Sequence, residues 1–341
     1  MTEKKRTVPV EKAVGNVLMH DITRIVPGEQ KGPAFKKGHV ITEEDVPLLK
    51  DIGKENIYVF ELSEDEYHEN EAGELFKQFA GKNVKTSGPS EGKVEFEAGV
   101  DGLVEISKET VDTVNMSKDI VFTTIHSNQP VKKGEALAGI RVTPLTVDKQ
   151  AVDEVIEAVS SPPVAVRSFS PKKVGLIVTG SEVASGRIED EFGPVISRKV
   201  KEYGGEVANK QIIGDDPEKL QSEIEKMLTS GIDFLVLTGG MSVDPDDKTG
   251  AAIEKAGVEI VSSGAPVLPG NMFMVGYKDD IPVFGVPACA IFYEITVLDL
   301  FLPWVFADKK ITRLDVAKKG YGGYCRHCEI CTFPSCEFGK R

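Results

Sequence analysis

The sequence predicts an α/β protein: a doubly wound, mostly parallel sheet, preceded by an N-terminal α+β and β-rich region. Three observations carry that prediction. Apolar strand-like runs alternate with helical segments from 174 to 308, the pattern of a parallel sheet with right-handed crossovers. Two of those runs, 174–179 and 234–238, stop abruptly at Thr-Gly. Over 94–143 the pattern is different, with short alternating strands separated by Gly, Pro and Asn turns.

Residues 7–60 read as a small α+β unit, with strands at 14–18 and 56–60. Between them 42–51 reads as a short helix with Thr42 as N-cap and Asp45 at its third position. The acidic stretch 63–80 has helical character and reads as a solvated surface helix. Strands at 102–106, 120–124 and 136–141 then suggest a small barrel-like domain. Helical spacing returns over 148–159, with Val152, Val155, Ile156 and Val159 on one face. Pro162, Pro163 and Pro171 mark 160–173 as a linker.

In the α/β part, a strand at 174–179 leads to a helix near 190–203, closed by Gly204 and Gly205. A strand at 206–213 precedes a helix at 217–229, which Pro217 opens at its first position. A strand at 233–238, a helix to about 256, and strands at 258–262 and 281–286 follow. A long apolar helix from 288 closes the domain. Glu294, Asp299 and Pro303 lie within it, and charges are costly in lipid, so it reads as a buried helix and no membrane association is expected. The expected divisions are 1–80 (α+β), 81–170 (β-rich plus a linker helix), 171–308 (α/β) and 309–341 (a basic linker and cysteine-rich tail).

A parallel sheet binds its ligands where its strands end, and backbone N–H groups near a helix start suit phosphate. The two glycine loops, Thr179-Gly180-Ser181-Glu182 and Thr238-Gly239-Gly240-Met241-Ser242, therefore read as an anion site. Asp215 and Asp216, before Pro217, and Asp244, Asp246 and Asp247, before Thr249, bring carboxylates near it. They suit a divalent metal on a phosphoanhydride, while capping of the 217–229 helix is the alternative for Asp215 and Asp216 and the simpler role for Asp215. The net charge of −13 excludes a general nucleic-acid binder, which needs a basic stripe. No apolar run follows the charged residues 1–6, and the chain has no disulfide framework spread along it, so a cytoplasmic protein is expected.

Taken in order, these elements resemble the molybdopterin-binding domain of the MogA/MoeA family of molybdenum-cofactor biosynthesis proteins. The family's Thr-Gly-Asp-Glu loop stands here as Thr179-Gly180-Ser181-Glu182, and its Gly-x-Asp-Asp-Pro helix start as Gly214-Asp215-Asp216-Pro217. Its Thr-Gly-Gly-x-Ser loop ending in Asp-x-Thr stands as Thr238 to Ser242 with Asp247-Lys248-Thr249. The resemblance is specific over about 174–306, and a faint similarity to MoeA-type proteins extends over 8–60. It implies binding of molybdopterin or its adenylylated form, and molybdate insertion with release of AMP assisted by Mg2+. On that mapping Asp216 and Asp247 are the catalytic residues. Thr179, Gly180, Ser181, Glu182, Thr238, Gly239, Gly240, Met241, Ser242 and Thr249 are the cofactor-binding ones. A homo-oligomer and a molybdoenzyme or cofactor-biosynthesis partner are also implied. The sequence departs from the family in several places. Ser181 replaces an Asp, the Lys-Pro-Gly-Lys-Pro segment appears as Leu268-Pro269-Gly270-Asn271-Met272, and Pro-Gly-Asn-Pro appears as Pro287-Ala288-Cys289-Ala290. These losses favour a second reading, a non-catalytic cofactor carrier or redox-sensing binder.

Cys289 reads as a small core thiol, or as a thiol facing the site with a pKa lowered by a helix N-terminus. The other four cysteines, Cys325, Cys328, Cys331 and Cys336, are spaced C-x2-C-x2-C-x4-C, one residue longer at the last gap than the bacterial ferredoxin run. A [4Fe-4S] cluster or a Zn2+ ion is the ligand such a set of thiolates suits. Lys309, Lys310, Arg313, Lys318 and Lys319 before it read as a solvated basic linker.

Overall fold

The computed structural model describes residues 5–24, 32–60, 63–241 and 249–340. The chain divides into two compact units, Met1–Glu97 with Ser107–Ile125 and Ala136–Val164, and Ala98–Ile106 with His126–Glu135 and Ala165–Arg341.

In the first unit, strands Lys5–Pro9, Asn56–Phe60 and Val17–Leu18 form an antiparallel sheet. Val10, Leu18, Ile41, Leu49 and Val59 make its core, together with helix Asp45–Asp51. That helix starts later than the sequence suggests. Asp45 turns back to accept hydrogen bonds from the Thr42 N–H at 2.8 Å and from its hydroxyl at 2.9 Å, so Thr42 lies outside the helix. A second sheet orders strands Ile120–Thr124, Ala136–Val142, Lys93–Ala98 and Val84–Ser90. Helix Glu69–Phe76 accompanies it and buries Ala72, Gly73 and Phe76. The expected solvated helix at 63–80 is therefore half embedded, because Phe76 and Phe79 join Phe96 and Phe122 in an aromatic cluster.

The second unit is built on a six-stranded sheet. Its order is Glu206–Ile213, Lys173–Thr179, Phe234–Thr238, Ile281–Val286, Met274–Lys278, Glu259–Ser263. The first four strands are parallel and the last two pair antiparallel, so the sheet is mostly parallel, as expected. Strand Met274–Lys278 was not foreseen. Both faces are covered, which is why the central strands read as continuous apolar runs. Leu176, Val178, Val236 and Phe284 pack on one side with Ile196, Val200, Phe301 and Phe306 from helices Phe192–Glu202 and Val297–Phe306. Ile177, Leu235 and Leu237 face Leu220, Ile224, Ala252 and Ile253 from helices Pro217–Leu228 and Thr249–Lys255.

The apolar segment from 288 is two helical pieces, Cys289–Phe292 and Val297–Phe306. Thr296 caps the second, with its N–H donating to the Asp299 carboxylate at 2.7 Å. Lys199 reaches the same carboxylate from the facing helix and donates to the Glu294 carbonyl at 2.5 Å, so both charges are buried as a pair. Among the described residues no helix is long and apolar enough to cross a membrane. Strand Val164–Ser168 runs through the expected linker at 160–173. The expected basic linker is likewise folded. Helix Arg313–Lys318 follows Ile311, and Ile311, Val316 and Phe338 are buried in the sheet unit's core. The Lys309 and Lys319 ammonium groups lie over the Trp304 ring, at 4.6 and 5.6 Å from its centroid, where a cation is attracted by the ring face.

Candidate functional site

Strand order reverses between Lys173–Thr179 and Phe234–Thr238, the place where doubly wound sheets open a crevice at their C-terminal ends. The second strand runs into Gly239 and Gly240, both in the left-handed region, at φ 85° and 55°. A side chain is excluded at either position. A Cβ on Gly239 would lie 2.3 Å from the Thr179 carbonyl oxygen, and one on Gly240 would lie 2.4 Å from the Thr249 hydroxyl. Thr179 is buried beneath this turn. Its hydroxyl donates to the Thr238 carbonyl at 3.0 Å and lies 3.4 Å from the Thr249 hydroxyl. The threonines at the strand ends thus shape the turn from below.

Beside the turn is a cavity of about 660 Å3, within the size range of small-molecule sites. Gly239, Gly240 and Met241 form one wall, Pro287, Ala288 and Cys289 another, and residues 268–272 a third. Tyr293, Tyr324 and His327 complete the lining. Met241 is held in place by Gly285, whose absent side chain leaves room for the thioether. Cys289 faces the cavity, and burial pushes its thiol pKa up, opposite to the lowering a helix N-terminus would bring. That shift favours the packing role expected for it.

The segment carrying the four cysteines reaches this cavity through its backbone. The Leu268 N–H donates to the Gly323 carbonyl at 2.8 Å, and the Cys325 N–H donates to the Leu268 carbonyl at 2.8 Å. His327 then rests against Tyr293, with ring centroids 5.0 Å apart. All four thiols are free; Cys325 and Cys336 pack against the core, whereas Cys328 and Cys331 are exposed. Among the described residues no group of three or more His, Cys, Asp or Glu side chains converges as a metal site. The tail as folded here therefore does not fit a four-thiolate cage.

Of the expected binding residues, the structure brings Gly239, Gly240 and Met241 to the cavity wall. Thr179, Thr238 and Thr249 lie buried beneath them. Ser181 and Glu182 are exposed, in a helical turn that follows Gly180, and these three do not line the cavity. Asp216 caps helix Pro217–Leu228, accepting from the Glu218 and Lys219 N–H groups at 3.2 Å each. The Lys219 backbone bond, and then the Lys219 ammonium, hold its carboxyl pKa below the usual range. Asp215, not Asp216, reaches the first loop, accepting from the Ser181 N–H at 3.0 Å. Ser242 and Asp247 lie outside the described residues. Sequence reasoning missed Tyr293, Tyr324 and His327 as lining residues. A signal for 268–272 and 287–289 was available, since both had been aligned with family motifs.

Residues 175–306 match the family described as "Probable molybdopterin binding domain", and residues 7–61 match a domain of unknown function, DUF8806. A CinA-like protein of Mycobacterium sp. (strain JLS) is 36% identical over 83 residues, which cover 24% of this chain and 20% of that protein. The chain thus spans about a fifth of the length of the curated relatives it matches. Among solved structures, CinA from Thermoplasma acidophilum aligns at a TM-score of 0.35 and 17% identity, covering 40% of this chain and 98% of that one. The tungsten cofactor synthesizing protein MoaB from Pyrococcus furiosus aligns at 0.34 and 22%, covering 40% and 94%.

Proposed function

We propose that this protein binds molybdopterin, or its adenylylated form, in the cavity beside Gly239 and Gly240, and that it acts in molybdenum-cofactor biosynthesis by molybdate insertion with release of AMP. The observation that carries the reading is the position of the cavity. It lies at the C-terminal ends of parallel strands, walled by a glycine turn, and most of its lining residues fall within the span that matches a probable molybdopterin binding domain. The backbone of that turn would take the phosphate end of the ligand. Asp216 and Asp247 are the proposed catalytic pair, and Mg2+ would supply charge neutralisation at the phosphoanhydride. Asp216 would have to leave its cap and its Lys219 partner to serve there, so Asp247 is the stronger candidate.

One observation favours the carrier reading. The described residues that line the cavity include no Lys or Arg, and the 268–272 wall holds Asn271 and Met272 where the family carries its second Lys-Pro. Incubating the purified chain with adenylylated molybdopterin, molybdate and Mg2+ separates the two. AMP release that is lost in Asp247→Ala supports the enzyme, whereas binding without AMP release leaves the carrier. Iron and zinc analysis of anaerobically purified protein tests the metal that the sequence leads one to expect at Cys325, Cys328, Cys331 and Cys336, which the folded tail does not fit. A colourless, iron-free and zinc-free protein removes it.

A further inference from the structure

The domain match ends at residue 306, yet two of the residues lining the cavity, Tyr324 and His327, come from beyond it. They are not there by loose contact. The chain at 323–325 forms a parallel bridge with Leu268, closed by two hydrogen bonds of 2.8 Å. Gly323 lies so close to other backbone that a Cβ would be 2.4 Å from the Lys319 carbonyl and 2.6 Å from that of Pro266. On the far side of the cysteines the segment is tied down again. The Lys319 ammonium donates to the Gly339 carbonyl at 2.5 Å, the Gly339 N–H donates to the Gly322 carbonyl at 3.0 Å, and Phe338 is buried in the core. His327 holds a left-handed backbone conformation, φ 52°, with its ring against Tyr293.

Tyr324 is 71% exposed and Tyr293 42% exposed, at the rim of a cavity. A fixed backbone that holds exposed aromatic side chains at a cavity rim is a surface for a flat partner, because aromatic rings stack favourably on heterocycles at little entropic cost. The described lining residues include no Asp, Glu, Lys or Arg, so the aromatic end meets a ligand through uncharged ring surface, and a phosphate would have to be met by the backbone of the glycine turn.

We infer that Tyr324 and His327, with Tyr293, form the ring-binding wall of the cavity, so that the cysteine-bearing segment is part of the ligand site and grips the planar heterocycle while the glycine turn takes the phosphate. The inference rests on the molybdopterin reading above and names the residues that meet its ring. No bond is made or broken: the wall binds and orients.

The test is a fluorescence titration of the whole 341-residue chain with molybdopterin, comparing wild type, Tyr324→Phe, Tyr324→Leu, His327→Leu and the Tyr324→Leu/His327→Leu pair. Thr332→Ala, an exposed position of the same segment, is the control. The pair should bind about tenfold or more weakly, as expected for loss of stacking faces, while Tyr324→Phe and Thr332→Ala bind like wild type. Dephosphorylated molybdopterin should lose as much on the pair as the phosphorylated ligand does, because the wall meets the ring. Wild-type binding with an unaffected pair overturns the wall and leaves the molybdopterin reading standing. A wild type that does not bind molybdopterin overturns both. A loss confined to the phosphorylated ligand overturns the ring assignment. Thermal melts identify any variant that is unfolded; if the pair is, the single substitutions, read against Tyr324→Phe, decide.

Discussion

Asp215 and Ser181 latch two strand ends to each other. The Asp215 carboxylate accepts from the Ser181 N–H at 3.0 Å, and the Ser181 hydroxyl accepts from the Asp215 N–H at 3.4 Å. The contact joins the loops after Lys173–Thr179 and Glu206–Ile213, neighbouring strands of the sheet. Asp215→Ala should cost about 1 kcal/mol, the worth of a partly exposed hydrogen bond, and Asp215→Asn less, since an acceptor remains. Hydrogen exchange should show faster opening confined to residues 180–186. Unchanged protection there would mean that the latch does not restrain the loop.

Gly239→Ala should damage the site more than the fold. It asks an L-residue to hold φ 85° and sets a Cβ 2.3 Å from the Thr179 carbonyl, where only backbone movement can relieve the clash. The left-handed conformation alone costs about 1–2 kcal/mol. A melting temperature lowered by several degrees, with loss of molybdopterin binding, is the expected outcome in calorimetry and titration. Binding at wild-type strength would show that the turn tolerates rearrangement.

Lys199→Met should be among the most destabilising single substitutions in the sheet unit. It strands the Asp299 carboxylate, whose side chain is 9% exposed, without its cation. Breaking a buried pair from one side costs about 3–5 kcal/mol, whereas replacing both partners by apolar groups can be nearly neutral. Urea unfolding of Lys199→Met and of Lys199→Met/Asp299→Leu should therefore give a large loss and a partial recovery. The recovery will be incomplete because Asp299 also caps Thr296.

Lys319 should make stability rise with pH in the alkaline range. Burial pulls its ammonium pKa from 10.5 down to about 8, opposed by Asp315 and assisted by Lys309. The folded value lies below the unfolded one, so the unfolded chain binds the extra proton between them. The contribution is complete above about 10.5 and is lost as pH falls through about 8. Wild type should gain on Lys319→Met by up to about 1.4 kcal/mol per pH unit across that window. Parallel curves for the two proteins in denaturant unfolding would rule the effect out.

Much of the sheet could be read from its residues, and the reason is local. Leu176, Val178, Val236 and Leu237 belong to runs buried on both faces, and few other structures need such runs. Met274–Lys278 escaped because Gly276 interrupts it and Pro269, Gly270 and Asn271 precede it, so the stretch looked like loop. The apolar segment from 288 looked continuous because its break, near Tyr293, carries no Gly or Pro. At the site, Gly239, Gly240 and Met241 were legible as a strand-ending turn. Asp-Asp-Pro was ambiguous, since the same residues serve a cap and a reaction equally well, and here Asp216 caps while Asp215 latches. Tyr324 and His327 could not be found from pattern, because backbone hydrogen bonds to Leu268 bring them to the cavity and no hydrophobic period announces such bonds.

The packing of Phe338 and Gly339 also bears on how the molecule is made. A Cβ on Gly339 would collide with Leu300, and Phe338 is 5% exposed within the same core as strand Lys173–Thr179. That core includes side chains made early and side chains made some 160 residues later, as Val174 and Phe338 are. The strands of the sheet are all made by residue 286, whereas the core that Phe338 joins is not complete until that residue has been made. Until then the apolar face that Phe338 covers remains open to solvent and to chaperones.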